Sequence, residues 1–291
     1  ASTSRTKLDK VPGYKVGKFK YRARGLNNTT RFLESPPIWA CLVPIIEQGW
    51  EQAPKICRYN YLSFKKTSPD WDVVLVDKNN IYQYIPRDYS WLFQCQGPAF
   101  RADIIRSLLL FYHGGVYSDA ACMNFKNLDE TMNMVNFDDF FTLKLNHFRA
   151  TTREAVSWFL IAPKGSKVFG KLAQTFVAAA KKNPIQHEYF MFHFTYDKLI
   201  NSDPLVKKHF ESMYSVNGFN NRIDAQYLKY TPEKVEEMIP DKFPDPNAHP
   251  RNIIQQAKDG NFVHLKLRHR GCEGFENENS LYNNLRNIVG F

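Results

Sequence analysis

Apolar residues gather in short runs at Ile38–Val43 and Val73–Asp77, and these flank a longer stretch, Lys55–Lys66, that reads as helix. Strand, helix, strand in that order is what a parallel sheet with a crossover helix requires. The next segment carries the clearest periodicity. Ile104, Ile105, Leu108, Leu109 and Tyr112 recur as one apolar stripe along a helix predicted over Ala99–Tyr112. His113 sits in its last turn, and Gly114-Gly115 supplies the left-handed stop on which helices commonly end. Val116–Asp119 follows as a strand, and its alternation turns Tyr117 and Asp119 one way, Val116 and Ser118 the other. Residue 121 continues the Tyr117/Asp119 face if the chain stays extended.

The remaining pattern predicts strands at Asp139–Leu143 and Val156–Ala162, then a largely helical second half. Its helices are expected at Lys167–Lys181, Glu188–Ile200, Leu205–Tyr214, Pro232–Ile239, Arg251–Lys258 and Ser280–Ile288, with one late strand at Phe262–Leu267. Four prolines within Pro240–Pro250 mark a loop. There is no internal repeat and no low-complexity tract.

Three polar residues stand out against this frame. In open α/β sheets ligands collect beyond the carboxyl ends of the strands, so Asp119 is well placed to hold one. Asp103 and Arg106 fall at i, i+3 on the preceding helix and share a face beside the apolar stripe.

These residues carry a resemblance. An Asp and an Arg on a helix before Gly-Gly-x-Tyr-x-Asp is similar to the region of glycosyltransferases that bind sugar donors through a DXD motif; here the matching positions are Asp103, Arg106, Gly114, Gly115, Tyr117 and Asp119. The capsular-polysaccharide-synthesis type resembles it most, because that type tolerates a small residue after Asp-Ala, as in Asp119-Ala120-Ala121. Pro37-Ile38-Trp39, Gln48-Gly49, Ala53–Cys57, Pro69-Asp70-Trp71 and Val73–Asp77 follow the same order upstream, and weaker similarity continues through Ser157–Ala162. Together they span roughly residues 36 to 200.

The resemblance implies a GT-A fold, meaning an α/β, Rossmann-like mixed sheet flanked by helices, with a helical C-terminal half. It implies one domain over residues 31–291, its front half binding donor and its back half facing the acceptor, behind a basic arm at residues 1–30. The implied activity is transfer of a hexose or pentose from a nucleotide sugar to a hydroxyl of a glycan acceptor, in capsule or viral surface polysaccharide synthesis. In that setting Asp119 ligates Mn²⁺ or Mg²⁺ bridging the donor phosphates, and the metal neutralises charge on the departing diphosphate. Arg106 contacts phosphate or sugar, and Asp103 accepts from sugar or ribose hydroxyls. Tyr117, Trp39 and Asp77 contact donor, base and ribose. The common second Asp of the motif falls at Ala121, so metal is weakly held or dispensable. The alternative is a catalytically degenerate relative that binds glycan or nucleotide without turnover.

Each residue also has a plainer role open to it. Asp119 and Asp77 could cap turns, Asp103 and Arg106 could form a surface ion pair, and Tyr117 and Trp39 could be core. His264 and His269 flank the basic late strand with Lys266, Arg268 and Arg270, which could close over the diphosphate. Glu154, Asp138, Asp139, Glu188, His193 and Asp197 are unranked candidates for the general base. The aromatic run Tyr189–Tyr196 reads as core.

Composition narrows the setting. Of 291 residues, 43% are hydrophobic and 15% aromatic, enough for a sizeable core rather than a disordered chain. Cys41, Cys57, Cys95, Cys122 and Cys272 are scattered without a CxxC, which suits reduced thiols in a cytoplasmic setting. No apolar run has the length of a membrane span, and the first residues lack the apolar core of a signal peptide. The formal net charge is +10, concentrated early at Arg5, Lys7, Lys10, Lys15, Lys18, Lys20, Arg22 and Arg24. Such an arm attracts anionic membrane surfaces. No nucleic-acid module accompanies it, so a nucleic-acid partner is not expected.

Overall fold

A computed structural model describes residues 40–46, 48–94, 97–133, 141–146, 155–183, 191–212, 215–217, 222–239 and 251–291. The basic arm, Trp39, Cys95, Asp138, Asp139, Glu154, Glu188 and the loop over 240–250 lie outside these residues.

The front of the chain builds the parallel unit that the pattern predicts. Strand β1 (Ala40–Pro44) leads through helix α1 (Lys55–Thr67) to β2 (Asp72–Val76), which pairs parallel with β1 in the register Ala40↔Asp72 to Pro44↔Val76. Two 3-10 turns, Ile81–Gln83 and Arg87–Gln94, precede helix α2 (Pro98–His113). Strand β3 (Gly115–Ser118) then returns to the other side of β1, again parallel, with Leu42 opposite Tyr117.

Beyond Asp119 the chain departs from the predicted extension. It turns at Ala120-Ala121 and starts a short strand, β4 (Cys122–Asn124), in a different sheet, so residue 121 does not continue the Tyr117/Asp119 face. Helix α3 (Leu128–Asn133) leads to β5 (Phe141–Asn146) and β6 (Ala155–Ala162). β6 runs antiparallel to β3 and to β5, and the short strand β7 (Ser215–Asn217) adds to β5 in parallel. The main sheet therefore has the order β2-β1-β3-β6-β5-β7.

Helices α4 (Lys167–Lys182), α5 (Met191–Ser202) and α6 (Pro204–Ser212) follow β6. Strand β8 (Arg222–Ile223), helices α7 (Pro232–Met238) and α8 (Ile253–Lys258), strand β9 (His264–Leu267) and helix α9 (Leu281–Val289) complete the described chain. β4, β9 and β8 make a second, small sheet, so the later half contributes strands as well as helices. The sequence pattern misses β4, β7 and β8, whose two or three residues are too few to display a period.

Alternation along the main sheet divides the core in two. Leu42, Val74, Val76, Tyr117 and Leu160 pack under α2, α4 and α5. Cys41, Val43, Val116, Phe159 and Ile161 pack against α1, the small sheet and α9. This is a mixed α/β sheet covered on both faces, as the resemblance implies. Cys41, Cys57, Cys122 and Cys272 are buried free thiols. No described helix is long and apolar enough to cross a membrane.

Gly114 and Gly115 do more than stop α2. At φ 66° and 89° both occupy the region that favours glycine. A Cβ on Gly115 would lie 2.5 Å from the Ala40 carbonyl oxygen, and one on Gly114 would collide with the backbone of Pro163 and Lys164. The double glycine lets β3 enter the sheet directly from the helix.

Candidate functional site

The strand order reverses at β1: its neighbours β2 and β3 lie on opposite sides, each reached by a helical connection. The crevice at such a reversal, outside the carboxyl ends of the strands, is where open α/β sheets bind ligands. Asp119 stands there, one residue past β3. Its amide donates to the Trp158 carbonyl at 2.9 Å, which pins the tip of β3 to the middle of β6. The side chain is 21% exposed, so solvent and ligands can reach it.

Three elements aim side chains at this carboxylate. Tyr117, on the same face of β3, donates its hydroxyl to Oδ1 at 2.7 Å. Arg106 comes from α2, with a guanidinium nitrogen 3.7 Å from Oδ1. Lys266 comes from β9 and donates Nζ to Oδ2.

Arg106 is itself enclosed. It donates to the carbonyls of Ser157 on β6 and Ala102 one turn earlier, the latter at 3.2 Å. Its guanidinium lies 3.6 Å from Asp103 Oδ1 and over the rings of Tyr117 and Phe192, at 5.2 and 5.8 Å. Asp103 accepts in turn from the Phe192 amide at 3.2 Å. The i, i+3 pair is therefore buried, not on the surface, and it joins α2 to the start of α5. A buried pair of this kind is costly to break, because either partner alone is an uncompensated charge.

The charges are strongly coupled. Burial pushes the Asp119 carboxyl up, but Lys266 and Arg106, with the hydrogen bonds from Lys266 and Tyr117, more than offset this and hold it down at about 2. For Asp103 burial wins over Arg106 and the Phe192 amide, and the carboxyl sits at about 6. Burial also works against the charges on Arg106 and Lys266. The nearby Tyr117, Asp119 and Asp103 outweigh it for Arg106, and Asp119 does so for Lys266, so both hold their protons more tightly than usual.

Two carboxylates and two cations thus form one network, and the sequence singled out three of its members. Lys266 lies 147 positions from Asp119; its one signal in the sequence was the basic run Lys266–Arg270. His264, on the same strand, is buried against Phe159 with ring centroids 4.4 Å apart, and its ring nitrogens have no partner among the described residues. Asp77 stands one residue past β2, at the carboxyl end of that strand. It accepts from the amides of Asn79 at 2.8 Å and Trp50 at 3.5 Å, while Asn80 accepts from its amide, which is the turn-capping role the sequence left open. Of the base candidates, His193 and Asp197 are described, both on α5. Phe192 and Tyr196 are core, as the aromatic run suggested, whereas Phe194 is exposed.

Among the described residues the protein offers few ligands for a divalent cation, so the donor phosphates and water would have to complete its shell. Mn²⁺ and Mg²⁺ need several oxygen ligands. Asp119 is already engaged by an ammonium, a guanidinium and a phenol, and the motif's second Asp is replaced by Ala121. Among the described residues no three His, Cys, Asp or Glu side chains are grouped so as to hold a metal ion.

Known proteins resemble this chain at several levels. The curated protein glycosyltransferase afumC of Aspergillus fumigatus is 31% identical over 96 residues, which is 28% of this chain. The chain spans about a quarter of that relative's length, 25%. Two solved structures align loosely. The PaToxG glycosyltransferase is 14% identical over 58% of this chain and 72% of its own, with a TM-score of 0.38. A glycosyltransferase involved in the glycosylation of the major capsid of PBCV-1 is 8% identical over 77% of this chain and 100% of its own, with a TM-score of 0.31. The broadest match is to a family: residues 6–235 fit the capsular polysaccharide synthesis proteins, and this chain belongs to that family.

Proposed function

We propose that this protein is a GT-A-type glycosyltransferase that moves a sugar from a nucleotide-sugar donor to a hydroxyl of a glycan acceptor. One observation carries the reading: the network of Arg106, Asp119 and Lys266 at the carboxyl end of β3, where the strand order reverses, with Asp119 and Lys266 reachable from solvent. A diphosphate is doubly anionic, and a crevice that presents the Lys266 ammonium, with the buried Arg106 guanidinium behind Asp119, suits it. Negative charge builds on the departing diphosphate in such a transfer, and fixed cations beside it are an effective form of catalysis. The donor binds in the front half, and the acceptor approaches from the side of the helices that follow β6. The partners are then a nucleotide sugar and a growing glycan, with the basic arm as a peripheral contact to anionic membrane from the cytoplasm.

The test is a thermal-unfolding panel of nucleotide sugars on the full chain, followed by an assay for release of nucleoside diphosphate. A donor at a hundred times its dissociation constant should stabilise the fold by about 2.7 kcal/mol. Release should fall to background in Asp119→Asn. If every donor leaves the unfolding temperature unchanged and none is consumed, the reading fails.

The self-satisfied charges around Asp119 favour a second reading, a binder without turnover. Donor-dependent stabilisation with no diphosphate release, under any acceptor or metal tried, would select it.

A further inference from the structure

We propose that Lys266 supplies the positive charge that a divalent metal would otherwise bring to the donor diphosphate, and that Asp119 is the residue that holds it in place. The inference rests on the glycosyltransferase reading above.

Backbone bonds fix where the Lys266 side chain starts, and the Asp119 carboxylate holds its far end. β9 pairs antiparallel with β4 in the register Cys122↔Lys266, and the Leu267 amide donates to the Ala121 carbonyl at 2.7 Å. The segment that follows Asp119 is thereby stitched to the segment that carries Lys266. The side chain crosses from the small sheet to the tip of β3 and stays 23% exposed, so its ammonium borders the crevice.

The electrostatics make metal and lysine rivals for one place. A divalent cation on Asp119 Oδ2 must displace the Lys266 ammonium and then sit beside it and the Arg106 guanidinium, two like charges in a partly buried site. The turn at Ala120-Ala121 offers no second carboxylate to offset that repulsion. Lysine is a compact point charge with three donors, able to keep one on Asp119 while others turn to phosphate oxygens.

In the transfer, the bond between the anomeric carbon and the diphosphate oxygen breaks and its electron pair leaves with the diphosphate, facing Lys266. The acceptor hydroxyl oxygen bonds to the anomeric carbon, and its proton is released to water. Nothing is oxidised or reduced. Lys266 is then a catalytic residue, and Asp119 a positioning residue.

The experiment uses the full chain and a donor taken from the panel above, with diphosphate release measured in EDTA and in Mn²⁺. Release should persist in EDTA. Lys266→Met should lower it by about 100- to 1,000-fold, the usual effect of removing one group that stabilises transition-state charge. Lys266→Arg, which keeps the charge, should retain a substantial fraction. In EDTA, Lys266→Met should also weaken binding of the nucleoside diphosphate at least tenfold while leaving the nucleoside unaffected, a difference that a merely structural role would not produce. Release abolished by EDTA and restored by Mn²⁺ overturns the inference and leaves the glycosyltransferase reading standing, and so does a Lys266→Met protein that turns over like the parent. If no donor is consumed under either condition, the underlying reading falls and takes the inference with it.

Discussion

Replacing Arg106 by Met tests the central network in one step. The substitution keeps most of the aliphatic stem and removes the guanidinium. Arg106 is 6% exposed, and its charge is matched by Asp103 and Asp119 and by the carbonyls of Ser157 and Ala102. Asp119 keeps Lys266 when the guanidinium goes; Asp103, 5% exposed, keeps the Phe192 amide as its side chain's one partner among the described residues. Breaking a buried pair from one side costs about 3–5 kcal/mol, and that is the expected loss near neutral pH. The loss should depend on pH in a definite sense. The folded Asp103 carboxyl sits at about 6, above its ordinary 3.8, so its contribution to stability is fully present below that ordinary value and fades as pH rises through the folded one. Removing Arg106, whose charge pulls the carboxyl down, raises the folded value further. Arg106→Met should therefore lose more stability at pH 7.5 than at pH 5, when each is compared with the parent by urea unfolding. Adding Asp103→Asn should recover about 1–3 kcal/mol, the coupling typical of groups in one network. A cost below about 1 kcal/mol, or one that is equal at both pH values, would show that the guanidinium is not the counter-charge of a buried carboxylate.

Three further outcomes follow from the same geometry. Gly115→Ala should destabilise the fold by about 3 kcal/mol or more, from a strained backbone and a Cβ pressed on the Ala40 carbonyl; an unfolding midpoint like the parent's would contradict the close approach. His264→Phe keeps the ring contact with Phe159 and removes nitrogens that have no partner among the described residues. Burial, then Lys266, holds the folded imidazole down at about 3, so His264 takes up fewer protons folded than unfolded and weakens the protein as pH falls below about 6.5. The variant should gain on the parent between pH 7.5 and pH 5 in thermal unfolding, and a constant difference would refute this. Lys266→Met should let the Asp119 carboxyl titrate above about 2, measurable by carboxyl NMR on labelled protein, since Lys266 is the strongest of the neighbours that lower it; an unmoved titration would mean that the ion pair does not form in solution.

The amino-acid sequence by itself determined the parallel front unit, because β1, α1, β2, α2 and β3 each carry enough residues for a period to show and are punctuated by Gly, Pro and Asn. It also singled out Asp103, Arg106, Tyr117 and Asp119 within one 17-residue span, from Asp103 to Asp119, where spacing along a helix and alternation along a strand are local properties. Tertiary structure alone decided what those residues meet. The α2 stripe was legible, yet the burial of Asp103 and Arg106 beside it depended on α5 arriving from 89 positions away to place Phe192 over them. The break of direction at Ala120-Ala121, and the arrival of Lys266 on Asp119, follow from β4 pairing with β9 across a gap no periodicity spans. An ion pair between residues 147 positions apart leaves no trace in local pattern, because its partners are selected by distance in space, and the chain's spacing encodes only distance along itself.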